Sequence, residues 1–590
     1  MSEYLPPLSD TRFVLEEVVC LEDLCQGLDL GEFDLEMATQ ILAEAGRLAA
    51  DVLAPLNAAG DRDGARLGEA GVQETPGFAK AYRLFCAGGW SALSAQPEIG
   101  GQGLPQVLAT AVNELWHSAN MAFALCPLLS LGAIEALRHH ASPALQARYL
   151  PKLVSGEWTG TMNLTEPDAG SDLAAVKTRA VPEGEHYRLS GQKIFITWGE
   201  HGMSDNILHL VLARLPEAPA GVKGLSLFLV PRFIPGDEGT PGPNEVRCLS
   251  LEHKLGIHGS PTCVMNLGGD RGALGYLIGE PHAGLACMFT MMNHARQAVG
   301  MQGLAIAERA YQAARGYARQ RLQGTARDGS RFAIIRFPDV RRMLMQMKAA
   351  VEAMRALALI AAAEVDRAEH GDQASARAHQ RRVDLYTPIV KGWMTELAQE
   401  VTSLAVQVHG GAGYIEETGV ARHFRDARIL PIYEGTNGIQ ALDLVGRKTL
   451  ADGGETLAAL FDEIEGTLGA LVCEPRCGVL AEALGAALEA ARAAWQRLLK
   501  GAGDDPALAG SVSFNFMQLM GYLCGGWAIA RSALAAALML GAGRGDPAFL
   551  EAKLITARFY AEHLLPRTQA LLLSVQAGSG SIMALPEDAF

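Results

Sequence analysis

The hydrophobic period of this chain changes twice, and those changes restrict the folds open to it. From Asp34 the apolar residues Leu35, Ile41, Leu42, Ala45, Leu48, Val52 and Leu53 recur at roughly helical spacing. Asp34 reads as the N-cap of this helix and Pro55 as its stop. Further helices are expected through Leu150, broken by the glycine-rich loop 97–103. Near Trp158 the period becomes that of strands. Segments 187–189, 193–197, 207–212 and 225–230 are short, apolar or alternating, and bounded by Gly, Pro and Asp turns. The strand-rich zone ends near Pro281. Helices rich in Ala, Arg and Glu return from Leu285 to about Leu450. Asp452-Gly453-Gly454 marks a linker, and a last helical block spans 455–575. The expected fold class is mostly α with a central β-domain. Its parts are a leader (1–33), an N-terminal helical domain (34–157), a middle β-domain (158–281), a helical bundle (282–450) and a C-terminal helical domain (451–590).

Composition removes several functions. A chain of 590 residues is too long for one core. A formal charge of −15 argues against nucleic-acid binding, which rests on Lys and Arg neutralising phosphates. A few local cations could still hold an anionic ligand. The ten cysteines are scattered without a CxxC, and Cys473 and Cys477 have no histidine beside them, so no metal is expected and the thiols read as reduced. Met1 to Asp10 carries prolines and acids rather than a signal sequence, which points to the cytoplasm. Residues 514–540 are apolar enough to span a bilayer. Gln518, Arg531 and the Gly525-Gly526 pair favour instead one or two buried bundle helices, with no integral membrane association. Neither GxGxxG nor a P-loop occurs, so any nucleotide needs another kind of site.

Five segments carry candidate chemistry. Glu434, in Leu430-Pro431-Ile432-Tyr433-Glu434-Gly435-Thr436-Asn437-Gly438, is an acid between an aromatic and a glycine. Burial would raise its pKa and suit it to take a proton from carbon near neutral pH; taken alone it reads rather as a loop acid stabilising a turn. Thr165 and Ser171 surround a Pro/Gly turn whose amides and hydroxyls could bond a flat heterocycle or a pantetheine amide. Phe195 and Thr197, two apart on a strand, could pack on a ring and bond its edge, or Phe195 could belong to the core. Arg319, Arg321 and Gln323 lie at a helix end where cations could serve a diphosphate or form a solvated face. In Gln407 to Tyr414 the paired glycines Gly410 and Gly411 expose backbone amides that a phosphate could approach, or form a plain glycine loop. His409 there reads as a hydrogen-bonded structural residue.

Together and in this order these segments resemble the acyl-CoA dehydrogenase family over nearly the whole chain. The resemblance implies an N-terminal helical domain, a middle β-barrel and a second helical bundle, with an added C-terminal helical domain. It implies FAD as cofactor. The implied FAD contacts are Met162, Leu164, Thr165, Gly170, Ser171, Phe195, Ile196, Thr197, Thr436 and Gly438, with Arg321, Gln323, Gln407, Gly410 and Gly411 reaching the neighbouring subunit's FAD. Ser171, Asn293, Arg296 and Gly435 are the implied substrate contacts. Glu434 becomes the base that takes the α-proton of an acyl-CoA while flavin N5 accepts the β-hydride. The product is a trans-2-enoyl-CoA, as in fatty acid β-oxidation, and an electron-transfer flavoprotein reoxidises the FAD. The chain departs from the family at Asn293 and Ala295, where Asp and Thr are common, and at Gly438. Its leader and its last block resemble a longer subgroup of bacterial long-chain acyl-CoA and 3-methylmercaptopropionyl-CoA dehydrogenases.

A medium- to long-chain acyl-CoA is the first substrate expectation and 3-methylmercaptopropionyl-CoA the second. A homodimer is expected, because the C-terminal block could cover the surface that four-subunit relatives use to assemble. An acyl-CoA oxidase shares the base and the flavin. A DNA-associated flavoprotein needs a basic C-terminal face, yet residues 451–590 hold nine Lys/Arg against fifteen Asp/Glu. A non-catalytic acyl-CoA binder would not require the base.

Overall fold

A computed structural model describes residues 4–30, 33–235, 242–269, 271–501 and 503–590. The chain forms two compact units, one of residues 47–104 and 119–295, the other of residues 1–46, 105–118 and 296–590.

The first unit is built on a β-barrel with helices. Strands Val246–Leu251, Thr262–Leu267, His186–Thr197, Ala273–Ile278, Leu225–Pro231, Asn206–Arg214 and Trp158–Asn163 follow one another across the sheet. Strand Arg179–Glu183 pairs with both His186–Thr197 and Asn206–Arg214, which closes five strands into a circuit. Alternation within Asn206–Arg214 splits its side chains between two cores. Val211 and Ala213 join Phe228, Val230 and Leu189 on one side. Leu208, Leu210 and Leu212 join Leu225, Leu227, Leu229, Tyr149, Leu153 and Met291 on the other. Met288, Met291 and Met292 all belong to this second core.

The second unit is helical. Its long members are Pro338–His370, Gln373–His409 and Leu508–Gly541, joined by Asn437–Val445, Glu455–Cys473, Gly478–Gly501, Pro547–His563 and Arg567–Ala577. The turn at Asp452 introduces Glu455–Cys473: its carboxylate accepts from the N–H groups of Gly454 and Thr456 at 2.9 and 3.1 Å. The apolar stretch 514–540 lies in one helix. Leu508–Gly541 and Gln106–His140 are both long and apolar enough to cross a membrane, but 67% and 89% of their most apolar windows are buried in the protein.

Three local expectations need correction or detail. Asp34 does cap Leu35–Leu48, its Oδ1 accepting from Met37 N at 2.8 Å. Pro55 does not end the helical run. The path continues through a π-turn, Ala49–Leu53, and Pro55 sits in the first turn of Ala54–Asp63. A first-turn N–H has no intrahelical partner, so proline costs nothing there. The helices expected throughout 285–450 are interrupted by a hairpin, Leu322–Thr325 with Arg331–Ala333, where Gly324 lets the Phe332 ring lie against the backbone. All ten cysteines are free. Among the described residues no group of three or more His, Cys, Asp or Glu could hold a metal.

Candidate active site

The loop between Val420–Ala427 and Asn437–Val445 turns through two successive left-handed residues, Glu434 (φ +57°) and Gly435 (φ +83°). Glycine adopts this region freely; glutamate does so at a cost of about 1–2 kcal/mol, so surrounding bonds must impose it. Several do. Asn437 N–H donates to Pro431 O at 3.0 Å and closes the loop. Thr436 Oγ1 accepts from Ile439 N at 3.3 Å and caps Asn437–Val445. Arg296 Nε and Gln440 Nε2 donate to Glu434 O at 3.4 and 3.3 Å. Lys391 Nζ donates to Gly435 O at 2.9 Å and Asn437 Oδ1 at 2.8 Å.

Beside the acid, the Tyr433 hydroxyl donates to Gln302 Oε1. Gln302 Nε2 in turn meets His117 Nε2 at 3.2 Å, and His117 Nδ1 meets Asn113 O at 3.0 Å. Burial holds His117 down to about 4, so it is neutral. Its Nδ1–H then donates to the carbonyl and its Nε2 accepts from Gln302.

The Glu434 carboxylate has an oxygen, Oε2, out of contact with solvent and without a hydrogen-bond partner. Burial pushes its pKa up to about 7, against the opposing pull of Arg296 and Lys391. Arg296 is buried, 3.9 Å from Asp443 Oδ2. The acid is therefore a base of near-neutral strength that keeps an acceptor position unused.

The remaining predicted residues of this unit lie on exposed surface. Arg321 follows Gly284–Gln320 and Gln323 lies on the hairpin. Gln407 is exposed at the end of Gln373–His409. Gly410 has φ +59°, and a Cβ at Gly410 or Gly411 would meet no atom within 4 Å. Gly438 has comparable room, with only Thr436 Oγ1 near, at 3.7 Å. His409 bonds Ala405 O at 2.7 Å and stacks on Tyr317 at 4.3 Å.

In the β-barrel unit, Met162 lies on Trp158–Asn163, with Leu164 and Thr165 just beyond its end. The turn carrying Gly170 and Ser171, both exposed, is fixed from beneath. Lys193, fully buried, donates to Leu164 O at 2.9 Å and Glu166 Oε1 at 2.8 Å. Ile194 N–H donates to Thr165 O at 2.9 Å. Phe195 and Thr197 flank buried Ile196 as alternation predicts, but the strand is not regular. The register against Thr262–Leu267 slips between Cys263 and Met265. In this bulge Phe195 takes φ +60° and stands 59% exposed. It is not a core aromatic. Ile196 points into the core cluster, which leaves only its backbone to face a ligand. Asn293 is exposed on Gly284–Gln320.

Sequence reasoning missed Lys391, Gln302, His117 and Asn437. Each is a polar residue buried on a helix; Asn437 lay inside the Glu434 segment without a role of its own, and the other three showed only as polar residues among apolar ones.

Each unit thus offers a feature that suits flavin-dependent oxidation of an acyl thioester: in one a strained, exposed aromatic on a barrel strand, in the other an acid with a buried, unpartnered oxygen. The acyl-CoA dehydrogenase N-terminal domain matches residues 36–157, the middle domain 161–268 and the C-terminal domain 282–449, while an acetyl-CoA dehydrogenase C-terminal-like domain matches 460–586. The chain belongs to the acyl-CoA dehydrogenase family, whose members are FAD-dependent oxidoreductases acting on acyl-CoA. It is 48% identical to the 3-methylmercaptopropionyl-CoA dehydrogenase of Ruegeria pomeroyi, over 96% of this chain and 97% of that one. It is 33% identical to the broad-specificity linear acyl-CoA dehydrogenase FadE5 of Mycobacterium tuberculosis, over 100% of both. Its fold matches that of an acyl-CoA dehydrogenase complexed with FAD from Bacillus anthracis with a TM-score of 0.74, at 21% identity, covering 92% of this chain and 88% of that one. The residues present suit FAD: Phe195 offers a ring face from a position no core requires, and Gly410 and Gly411 leave backbone open to a phosphate.

Proposed function

We propose that Glu434 is the base that removes the α-proton of a bound acyl-CoA, opening its α,β-dehydrogenation to a trans-2-enoyl-CoA. One observation carries this reading: a carboxylate with a buried, unpartnered oxygen, raised to about 7, in a turn locked by bonds to both flanking carbonyls. Bound FAD supplies the hydride acceptor. The protein's part is to present Glu434 Oε2, to place the Glu434 backbone N–H as a donor toward the thioester oxygen, and to exclude water from the base. Thr165, Ser171, Phe195 and Thr197 are the proposed β-domain contacts. Arg321, Gln323, Gln407, Gly410 and Gly411 are proposed to face the FAD of a second subunit, in a homodimer; the proposed location is the cytoplasm. Glu434→Gln is expected to keep its yellow FAD yet lose anaerobic bleaching by acyl-CoA, at least about 10³-fold in rate. Bleaching at the wild-type rate would refute the assignment.

The 48% relative supports 3-methylmercaptopropionyl-CoA as substrate. The full-length similarity to a broad-specificity linear enzyme supports a straight-chain acyl-CoA, within which a medium to long chain is the second reading. A panel of acyl-CoAs of increasing length together with the thioether substrate, assayed with a dye acceptor, separates the two by kcat/KM. Electron-transfer flavoprotein is the proposed acceptor; stoichiometric hydrogen peroxide during turnover would assign the chain to the oxidases instead.

A further inference from the structure

We infer that Lys391 is a positioning residue for the dehydrogenation, clamping the Glu434–Gly435 turn and balancing the charge of the Glu434 carboxylate. The inference rests on the proposed reading of Glu434 as base.

Lys391 lies within helix Gln373–His409 and is fully buried. A buried ammonium is costly unless its donors are satisfied. Among the described residues Lys391 forms no ion pair. Its two hydrogen bonds both go to the Glu434 loop, to Gly435 O and Asn437 Oδ1. The same helix grips the loop again one turn on. Asn437 Nδ2 donates to Thr395 Oγ1 at 2.9 Å and to Glu396 Oε1 at 2.8 Å. The bond to Gly435 O matters most, because Gly435 is the second residue of the left-handed pair. Its φ of +83° and the approach of Gln440 Nε2, 3.0 Å from where a Cβ would stand, make this a position for glycine.

The charged groups around the acid come from every element packed on it. Arg296 lies on Gly284–Gln320 and Lys391 on Gln373–His409. Asp443, on Asn437–Val445, is paired with Arg447 and lies near Arg296. Glu396 follows Lys391 on its own helix, and Tyr433 adjoins the acid in the loop. Burial pulls Lys391 down to about 7, with Glu434 first among the groups opposing that pull. Lys391 in turn opposes the rise of Glu434. The two groups are thus electrostatically coupled as well as joined through the loop backbone.

Two substitutions separate clamp from charge. Lys391→Gln keeps a donor and deletes the charge; Lys391→Met deletes both. The rate of anaerobic FAD bleaching by acyl-CoA is followed against pH. In Lys391→Gln the acid limb is expected about one unit above wild type, with the rate at pH 9 within about threefold of wild type. Lys391→Met should show the same shift and a further loss of about tenfold at every pH, as Gly435 O loses its donor. A second readout needs no turnover. The native pKa of Lys391 lies far below its ordinary value, so the unfolded chain binds the extra proton and stability rises with pH from about 7 to 10. Lys391→Gln should lack that rise in thermal midpoint. A wild-type acid limb in Lys391→Gln, or an unchanged slope of thermal midpoint against pH, would overturn the inference. Retained bleaching in Glu434→Gln would instead overturn the reading of the base on which it rests.

Discussion

Glu434 carries two local costs, a left-handed backbone and a desolvated carboxylate, and its bonds to distant residues sustain both. A base raised to about 7 has a consequence for rate. Below that pH the fraction ionised falls tenfold per unit, so the bleaching rate of the wild-type enzyme should climb through pH 7 and level off by about pH 8. A flat profile between pH 5.5 and 8 would contradict it. The sign for stability is opposite. The native pKa lies above the unfolded value, so the native state binds the extra proton between about 4.5 and 7. This stabilising contribution is complete below 4.5 and lost as pH rises through 7. Gly435→Ala tests the turn itself. With φ +83° and Gln440 Nε2 at 3.0 Å from the added methyl, it should cost about 1–2 kcal/mol of stability and displace the acid. A thermal melt and the bleaching rate read the two effects separately. The acid was singled out by a local signal, an ionisable residue followed by a glycine in an apolar stretch, but its reading as a base came from the resemblance carried by the other segments. Lys391 was not singled out: it stands 44 residues from Gly435 in sequence, and its role exists only once helix and loop have packed. Gln302 and His117, 131 and 185 residues from their partners, were hidden in the same way.

Elements were readable where periodicity alone sets them. The strands 207–212 and 225–230 and the helix after Asp34 appear close to where their patterns place them. The failures fall where backbone detail overrides period. Pro55 reads as a stop, but a π-turn ahead of it makes its position the start of a new helix. The hairpin at 322–333 is too short to impose alternation. The bulge at Phe195 arises from pairing with a strand some seventy residues on, so strand 193–197 alone cannot announce it. Helix Leu508–Gly541 raises a related point. The Gly525-Gly526 pair left open a break into two helices, yet the helix is continuous and several of its glycines are contact points. A Cβ on Gly521 would lie 2.1 Å from Trp393 Cγ, and one on Gly525 2.5 Å from the same ring. Trp393 sits two residues from Lys391 on Gln373–His409. Gly521→Ala should therefore destabilise the protein by about 2 kcal/mol or more through overpacking. Gly541→Ala, with nothing within 4 Å, should be neutral or slightly stabilising in the same melt.

At the scale of the chain, the last 140 residues are built into the helical unit that holds Glu434. Met517, Met520, Leu523 and Trp527 are all buried, and Leu508–Gly541 packs on Pro338–His370, Gln373–His409 and Asn437–Val445. Charged contacts fasten the same block. Arg567 bonds both oxygens of Glu400 at 2.7 Å, Lys553 lies 3.2 Å from Glu352 and also pairs with Asp10, and Arg531 donates to Val18 O at 2.6 Å. Removing the block would strip the cover from Trp393, leave Glu400 and Asp10 without the cations they pair with, and leave Glu352 with Lys348 alone. Each large apolar side chain so exposed forfeits about 1.5–3 kcal/mol, and a domain's whole stability is about 5–15 kcal/mol. A chain ending at residue 454 is thus expected to be insoluble, or to melt at least 10 °C lower and to bind FAD poorly even though Glu434 is intact. Soluble yield, melting temperature and flavin absorbance measure this directly. A shortened chain that melted like wild type and stayed yellow would make the C-terminal block an independent domain. The Gly521 and Gly525 contacts with Trp393 argue for the opposite outcome, because they bring the block's longest helix to within a methyl group of the helix that carries Lys391.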